Sequence, residues 1–268
     1  MTIANLPMYD LPEIRRATDD WWSGLARAFR RAGISDVPDR LDRERAMPEV
    51  WRDPGLVLSQ ACGYPLLHGL AGVVQMVATP VYTLAGCEGP LYRSVFVVRA
   101  DDPAEALSDL QGRRVAVNSK TSQSGYNCLR HALAPLAAAG TMFSEVVTSG
   151  GHGGSLAAVQ EARADLAAID CVTYGLMARH QPAAVAGLRV LGESEPAPGL
   201  PYVTRGGADD ALLARLREGL QQAVGDPDLD AARSVLGLAG VELLPLSAYR
   251  VIDDMEAAAT AAGYPDVA

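Results

Sequence analysis

Residues 115–126 read Val-Ala-Val-Asn-Ser-Lys-Thr-Ser-Gln-Ser-Gly-Tyr. The apolar start of this stretch predicts a β-strand, the hydroxyl-rich part a loop, and Tyr126 the opening of a helix. Backbone N–H groups at a helix start lack partners, and the helix dipole places partial positive charge there. We therefore expect Ser122, Ser124 and Gly125 to bind the oxygens of a phosphoryl-type anion. An ordinary serine N-cap explains the same pattern, and the local sequence favours neither interpretation.

On both sides of this stretch, short β-like runs alternate with amphipathic segments. Downstream, the periodicity predicts a helix over 126–138, a strand around 145–148, a helix over 155–162 and a strand over 166–171. Upstream, residues 56–62 form one of several further β-like runs. This alternation is typical of parallel sheets covered by helices, so the predicted fold class is α/β.

Two segments are predicted to cross between domains. The first follows a β-branched run and lies near residue 99, and the second is the proline-rich run 195–201, which a helix cannot occupy. If both connect the same pair of lobes, residues 1–99 plus 196–268 form one lobe and residues 100–195 the other. Such a double crossing is a hinge that lets two lobes close on a ligand.

A second candidate site is the glycine-rich turn within Thr148-Ser-Gly-Gly-His-Gly-Gly-Ser155, with His152 at its tip. A histidine between glycines has few core neighbours, so packing explains it less well than it explains His131 or His180, which lie in helical segments. The imidazole N–H can donate a hydrogen bond to an oxyanion.

A third candidate is Asp170, which ends an apolar strand at its carboxyl end, where open α/β sheets place their ligands. A carboxylate repels a fully ionised oxyanion. If Asp170 faces the same site as Ser122 and Ser124, the ligand carries a proton or an amino group. A monoprotonated phosphonate or phosphate, or an aminophosphonate, is therefore favoured over sulfate.

Several polar side chains at predicted strand ends are candidates for the wall of a cleft, with their hydroxyl and amide groups directed inward. Individually, each is more often explained by packing at a strand boundary. They are Tyr9, Gln60, Tyr82 and Tyr92.

Composition excludes several classes of partner and chemistry. The formal net charge of −9 disfavours binding to nucleic acid or an anionic membrane. The four cysteines form no CxxC pair, no His/Cys/Asp cluster has metal-ligand spacing and no Walker loop is present, so we expect no metal, nucleotide or other cofactor. No run reaches the ~18 apolar residues of a membrane span, and no signal peptide opens the chain. The sequence thus predicts a soluble protein without membrane insertion, cytoplasmic as written and periplasmic if an export signal was removed.

Four stretches of the sequence match the pattern of a known protein family. Leu91-Tyr-Arg-Ser-Val-Phe-Val-Val98, Ser122-Gln-Ser-Gly125, Ser149-Gly-Gly-His152 and Arg163-Ala-Asp-Leu-Ala-Ala-Ile-Asp-Cys171 together resemble the phosphonate/phosphite-type substrate-binding proteins of ABC importers. The resemblance implies a two-lobed periplasmic-binding-protein-like fold with two hinge crossings (type II). It also implies capture of a small oxyanion, a phosphonate, phosphite or phosphate, in the cleft between the lobes, without catalysis and for an ABC transporter permease.

The resemblance further implies which residues bind the ligand. They are Ser122, Gln123, Ser124, His152, Asp170 and Tyr92, with Tyr9 and Gln60 as further matches. Two features depart from the family pattern. Gln123 replaces a small hydroxyl residue in the loop, and no export signal precedes the first strand.

Other function classes fit parts of the sequence. Ser124, His152 and Asp170 include the residue types of a hydrolytic triad, although Ser124 lacks the glycine two residues earlier that a nucleophile elbow needs. The alternatives are a cytoplasmic ligand sensor and an enzyme of the same fold that acts on a small acidic metabolite.

Overall fold

The computed structural model describes residues 1–137 and 141–268. The described chain forms two compact units. Unit 1 comprises Met1–Thr83, Glu88–Pro90 and Pro198–Leu246, and unit 2 comprises Leu84–Cys87, Leu91–Ala197 and Ser247–Ala268.

Short strands and helices follow one another along the described residues. In chain order, the strands are β1 (Ile3–Ala4), β2 (Leu56–Gln60), β3 (Val74–Tyr82), β4 (Leu91–Tyr92), β5 (Ser94–Arg99), β6 (Arg114–Val117), β7 (Glu145–Thr148), β8 (Leu166–Asp170), β9 (Leu188–Glu193), β10 (Ala197–Pro198), β11 (Tyr202–Arg205) and β12 (Leu238–Glu242). The α-helices are α1 (Arg15–Arg31), α2 (Met47–Trp51), α3 (Gly63–His68), α4 (Cys128–Leu133), α5 (His152–Gln160), α6 (Cys171–His180), α7 (Asp210–Val224), α8 (Asp230–Leu236) and α9 (Val251–Ala261). A π-helical turn covers Gln123–Asn127, and 3₁₀ turns cover Pro12–Ile14, Leu107–Leu110, Pro182–Ala184, Pro227–Leu229 and Leu246–Arg250.

Unit 1 is built on a mixed sheet with the strand order β1-β2-β11-β3-β12. β1 and β2 are parallel, whereas β11 runs antiparallel to both of its neighbours. Helix α1 buries Trp21, Trp22 and Phe29, whose spacing places them on the buried side of the helix. The indole of Trp22 contacts the ring of Phe29 edge-on, with ring centroids 6.2 Å apart. This aromatic side of α1 forms a large part of the unit 1 core.

Unit 2 is built on a sheet with the order β7-β6-β8-β5-β9. Strand β6 is parallel to both β7 and β8. The carboxyl ends of these three strands therefore meet at one edge of the sheet, the edge where α/β proteins place their ligands. The segments that follow them are the loop 118–122, the turn 149–151 and the start of α6.

The expectation of parallel sheets is wrong for β5, β11 and β12, which pair antiparallel with their neighbours. Strand β5 is antiparallel to both β8 and β9, and its first residue, Ser94, pairs with the last residue of β8, Asp170. The chain thus enters the five-stranded sheet of unit 2 at the edge where the parallel strands end, so β5, the first strand of that sheet in chain order, runs against them. Periodicity reports which residues are buried in a strand but not the direction of the strand.

The grouping of the chain differs from the predicted lobe boundaries at β5 and at the C-terminal residues 247–268, which both lie in unit 2. Ala259, Tyr264 and Val267 belong to the unit 2 core. The amphipathic pattern of α9 predicts a buried side, but it does not say which sheet that side covers.

Two helix starts also differ from the sequence prediction. The predicted helix 126–138 is preceded by the π-helical turn Gln123–Asn127, and its predicted end, Ala138, lies outside the described residues. Helix α5 begins at His152 and not at Ser155, because Gly153 and Gly154 continue the helix instead of extending the turn. His152 is therefore the first residue of a helix.

Within the two described ranges, no helix combines the length and the apolar character needed to cross a membrane.

Candidate functional site

The loop after β6 is organised around the hydroxyl of Ser122. This residue is the N-cap of the π-helical turn, and its Oγ accepts a hydrogen bond of 3.0 Å from the backbone N–H of Gly125. The same Oγ accepts a second bond of 3.0 Å from the side-chain amide of Asn118. The serine N-cap predicted from the sequence is thus present, and the cap positions the backbone of the turn.

Gly125 allows the loop to pack closely on Asn118. A Cβ atom at Gly125 would lie 2.1 Å from Oδ1 of Asn118, a distance that no side chain can tolerate. Oδ1 of Asn118 also accepts a 2.9 Å hydrogen bond from the backbone N–H of Ser119. Asn118 therefore connects the two ends of the loop, and only glycine leaves room for it.

Ser124 and His152 lie on different helix starts and contact each other. Ser124 Oγ is 2.9 Å from His152 Nε2, a hydrogen-bond distance. The contact is possible because the strands before the two helices, β6 and β7, are parallel neighbours with their carboxyl ends side by side. The structure thereby brings together the two candidate residues that were predicted from separate motifs.

The imidazole of His152 is neutral at ordinary pH. The residue is partly exposed, but its Nδ1 is buried. Burial lowers the pKa of His152 to about 4, although the backbone of Ala168 opposes the decrease. A neutral ring carries one N–H donor and one acceptor, so the ring does not add a positive charge to the site.

We predict that His152 does not titrate between pH 8 and about 5.5. An unfolded histidine takes up its proton near pH 6.5, whereas folded His152 does so near 4. Between these values the unfolded state binds more protons, so this histidine's contribution to stability is complete above about 6.5 and is lost as the pH falls towards 4. NMR titration of the imidazole Cε1–H measures the pKa, and urea denaturation at pH 7 and pH 4.5 measures the stability.

The control for this prediction is His152→Gln, which keeps a group able to hydrogen-bond Ser124 but does not titrate. In that variant the loss of stability between pH 7 and pH 4.5 is expected to be smaller. A titration midpoint near 6.5 for His152 would contradict the prediction.

Asp170 caps helix α6. Its Oδ1 accepts hydrogen bonds from the backbone N–H groups of Val172, at 2.8 Å, and Thr173, at 3.0 Å. The carboxylate is buried and its charge is stabilised by these donors at the positive end of the helix. Asp170 therefore has a structural role as a helix cap as well as a place at the edge of the sheet.

Ser94 connects Asp170 with the loop. It pairs with Asp170 across the β5–β8 ladder, and its hydroxyl donates a 2.8 Å hydrogen bond to the backbone carbonyl of Ser124. Ser124 and Asp170 thus both lie next to one buried serine. Neither Ser94 nor Asn118 was predicted from the sequence as a site residue, although each is a polar residue that borders an apolar run.

The side chain of Gln123 points into the interior of unit 2. Its amide nitrogen lies 3.2 Å from Sγ of Cys128 and 3.3 Å from Sδ of Met255, and its Oε1 accepts a 2.7 Å bond from the side-chain amide of Asn127. The Gln123 side chain therefore packs against α9, whereas Ser122 contacts Asn118 and Ser124 contacts His152.

The tyrosine and glutamine candidates lie in two places. Tyr92 belongs to unit 2, where its ring is buried in the short strand β4. Tyr9 and Gln60 belong to unit 1 and lie beside Tyr82, whose ring contacts that of Tyr9 at 5.2 Å. Gln60 donates a 2.9 Å hydrogen bond to the carbonyl of Leu200.

A cavity of about 30 Å³ adjoins Tyr9, Gln60 and Tyr82 in unit 1. This volume accommodates roughly one or two water molecules and is far below the ~300 Å³ of small-molecule pockets. The cavity by itself is therefore not a ligand site.

The hydrolytic triad considered from the sequence is not assembled. Asp170 accepts its bonds from the start of α6, and Nδ1 of His152 has no carboxylate partner within the described residues. A triad requires a carboxylate that orients the imidazole through its second nitrogen. The Ser124–His152 pair is therefore a polar pair without that third member.

A serine-capped helix start, a neutral histidine and a buried serine thus lie together at the carboxyl ends of parallel strands, the edge where α/β proteins place small ligands. The chain belongs to the family described as "ABC transporter, phosphonate, periplasmic substrate-binding protein", whose model matches residues 56–249. The family resemblance predicted from the sequence is thereby confirmed. Members of this family are periplasmic, bind small ligands and act with ABC transporter permease components.

Solved structures with the same fold support this result. A binding protein component of an ABC phosphonate transporter from Pseudomonas aeruginosa has a TM-score of 0.76 at 16% identity, covering 98% of this chain and 87% of that one. PhnD1 from Prochlorococcus marinus, in complex with methylphosphonate, has a TM-score of 0.75 at 13% identity, with 96% and 97% covered. XAC2383 from Xanthomonas citri, bound to ATP, has a TM-score of 0.70 at 20% identity, with 98% of each chain covered.

These neighbours have the two-lobed periplasmic-binding-protein type of fold, which confirms the predicted fold class. At such low identity the similarity establishes the fold and not the ligand. No curated protein matched the sequence.

Proposed function

We propose that this chain binds a phosphonate or a related phosphorus oxyanion and delivers it to an ABC transporter permease. The observation that carries the proposal is the hydrogen bond between Ser124 and His152, which joins two helix starts at the ligand edge of the unit 2 sheet. Two helix starts supply backbone N–H donors, and the two side chains supply a hydroxyl and an imidazole. This donor set suits a tetrahedral group with several oxygens.

The charge of the protein favours a site built from dipoles. With a formal net charge of −9, the protein as a whole repels anions. Helix starts and hydroxyls attract an oxyanion locally and do not require a lysine or arginine, as other helix-start anion sites show. The proposed site consists of Ser122, Ser124, Gly125 and His152.

Asp170 is expected to influence the choice of ligand. Asp170 is buried and pairs across the β5–β8 ladder with Ser94, whose hydroxyl donates a hydrogen bond to the backbone carbonyl of Ser124. A negative charge at the same edge of the sheet as the proposed site disfavours a dianion without a proton and favours a ligand that carries a proton or an ammonium group. A monoprotonated phosphonate, phosphite or phosphate, or 2-aminoethylphosphonate, meets this requirement, whereas sulfate does not.

The test is isothermal titration calorimetry of the ligand-free protein with methylphosphonate, 2-aminoethylphosphonate, phosphite, phosphate and sulfate. We expect micromolar or tighter binding of at least one phosphorus compound at pH 7, and no measurable binding of sulfate. Binding of sulfate alone, or no heat with any compound, would refute the proposal.

The geometry gives no support to the enzyme alternative. A general base that activates Ser124 must stabilise the positive charge that forms on its ring, and the burial that lowers the pKa of His152 to about 4 opposes that charge. The family consists of substrate-binding proteins, which agrees with a binding role.

A further inference from the structure

Two thiols lie in contact beside the start of α6. Sγ of Cys87 is 3.5 Å from Sγ of Cys171, and both residues are free cysteines of unit 2. Cys87 is partly exposed, whereas Cys171 is buried. Cys171 is the first residue of α6 and directly follows Asp170.

The backbone around Cys87 is shaped for this contact. Gly86 has a φ of +87°, a left-handed conformation that favours glycine, and a Cβ atom there would lie 2.8 Å from Cβ of Cys171. On the next turn of α6, a Cβ atom at Gly175 would lie 3.1 Å from a methyl group of Leu84. The close packing at Gly86 and Gly175 therefore holds residues 84–87 against α6. In this arrangement the thiol of Cys87 is partly exposed and that of Cys171 is buried.

We propose that Cys87 and Cys171 are a redox-active dithiol, a modification site that a disulfide oxidant converts into an intramolecular disulfide. The thiolate of Cys87 attacks one sulfur of the oxidant, the S–S bond of the oxidant breaks, and its first thiol leaves with the proton of Cys87. The sulfur of Cys171 then attacks Sγ of Cys87, the bond to the oxidant breaks, and the second thiol leaves with the proton of Cys171. The protein gives up two electrons and two protons, and the oxidant becomes two thiols.

The environment sets the order of these steps. The hydrogen bond with Cys87 and burial both raise the pKa of the Cys171 thiol, so the buried thiol is the weaker first nucleophile. Cys87 is the thiol that a disulfide oxidant can reach. The family is periplasmic, and the periplasm is an oxidising compartment in which protein disulfides form and persist.

The oxidation is expected to act on the oxyanion site, a consequence that rests on the proposed function. The two sulfur atoms must approach by roughly 1.5 Å to reach a disulfide bond length of about 2.05 Å. Part of this movement falls on Cys171, whose neighbour Asp170 caps α6. A shift of several tenths of an ångström misaligns hydrogen bonds, so we expect oxidation to weaken ligand binding about tenfold.

The experiment uses the full chain, reduced with dithiothreitol, desalted, and then treated with oxidised glutathione. Thiols are counted with Ellman's reagent under denaturing conditions, and peptides are mapped by mass spectrometry without reduction. We expect the thiol count to fall from four to two, with a cross-linked peptide pair that contains Cys87 and Cys171. Cys62→Ser is the matched control, because Cys62 is partly exposed like Cys87, and it should still lose two thiols.

In Cys87→Ser the intramolecular cross-link should be absent. Loss of two thiols in that variant, which has three, or a wild-type protein without the Cys87–Cys171 peptide pair, would overturn the proposal. Calorimetry of the reduced and oxidised forms with methylphosphonate measures the consequence for binding. The thiol count needs no ligand. It therefore tests the dithiol even if the protein binds none of the phosphorus oxyanions.

Discussion

Ser124→Ala is expected to weaken binding of the phosphorus oxyanion about 10- to 100-fold. A hydrogen bond to a charged group contributes about 1.5–3 kcal/mol, and this range corresponds to such a loss of affinity. The hydroxyl of Ser124 is proposed to contact the ligand, and it also holds the imidazole of His152 at 2.9 Å. Its removal therefore takes away one contact with the ligand and leaves a second contact less well positioned.

The matched control is Thr121→Ala, which removes a hydroxyl from the same loop. Thr121 is exposed, and its side chain lies 2.9 Å from the hydroxyl of Ser119. This exposed contact contributes little to the arrangement of Ser122 and Ser124, so affinity should stay within about twofold of the wild type. Calorimetry of both variants, with a thermal melt to verify folding, measures the difference. If Ser124→Ala bound as tightly as Thr121→Ala, Ser124 would not be a ligand contact.

In Gly125→Ala, we expect a loss of roughly 3 kcal/mol in the free energy of unfolding and no measurable ligand binding. The new methyl group would lie 2.1 Å from Oδ1 of Asn118, so the amide of Asn118 must move away. Its hydrogen bonds to Ser122 and to the backbone N–H of Ser119 are then lost. Overpacking costs about 1–3 kcal/mol and a weakened N-cap about 1 kcal/mol, which together account for a loss of this size.

Urea denaturation and calorimetry test the Gly125 prediction. Gly153→Ala is the matched control, because the added Cβ atom would lie 3.7 Å from Cε of Met177, an ordinary contact. It should leave both stability and binding nearly unchanged. The double variant Gly125→Ala/Asn118→Gly removes the clashing amide and is expected to recover part of the stability. If the double variant were no more stable than Gly125→Ala, the contact with Asn118 would not be the cause of the loss.

Ser122 shows why part of the candidate site was predictable. A serine that follows a strand and precedes a helix is a local signal, since the N-cap bond joins residues only three positions apart. The same holds for Asp170, which caps α6 through Val172 and Thr173. In both cases a ligand contact and a helix cap call for the same residue type at the same position. The sequence therefore could not distinguish the two roles.

Gln123 shows the opposite case. The family pattern placed it among the ligand-binding residues, but its side chain packs against Met255 of α9, 132 residues later in the chain. The direction of a side chain in a helix start depends on which element covers that side of the helix. No local pattern at 122–125 contains this information, and the ligand-binding role of Gln123 stays a prediction.

The amino-acid sequence by itself determined the alternation of strands and helices, the α/β class, the family and the three motifs at strand ends. These features depend on periodicity, turn residues and caps, which act between residues close in the chain. The tertiary structure decided the antiparallel entry of β5, the docking of α9 in unit 2, the Ser124–His152 bond and the Cys87–Cys171 contact. Each of these features depends on how strands pair or on how a helix packs on a sheet. The same local pattern is compatible with many strand registers and helix faces, and only the packing of the complete core selects one of them.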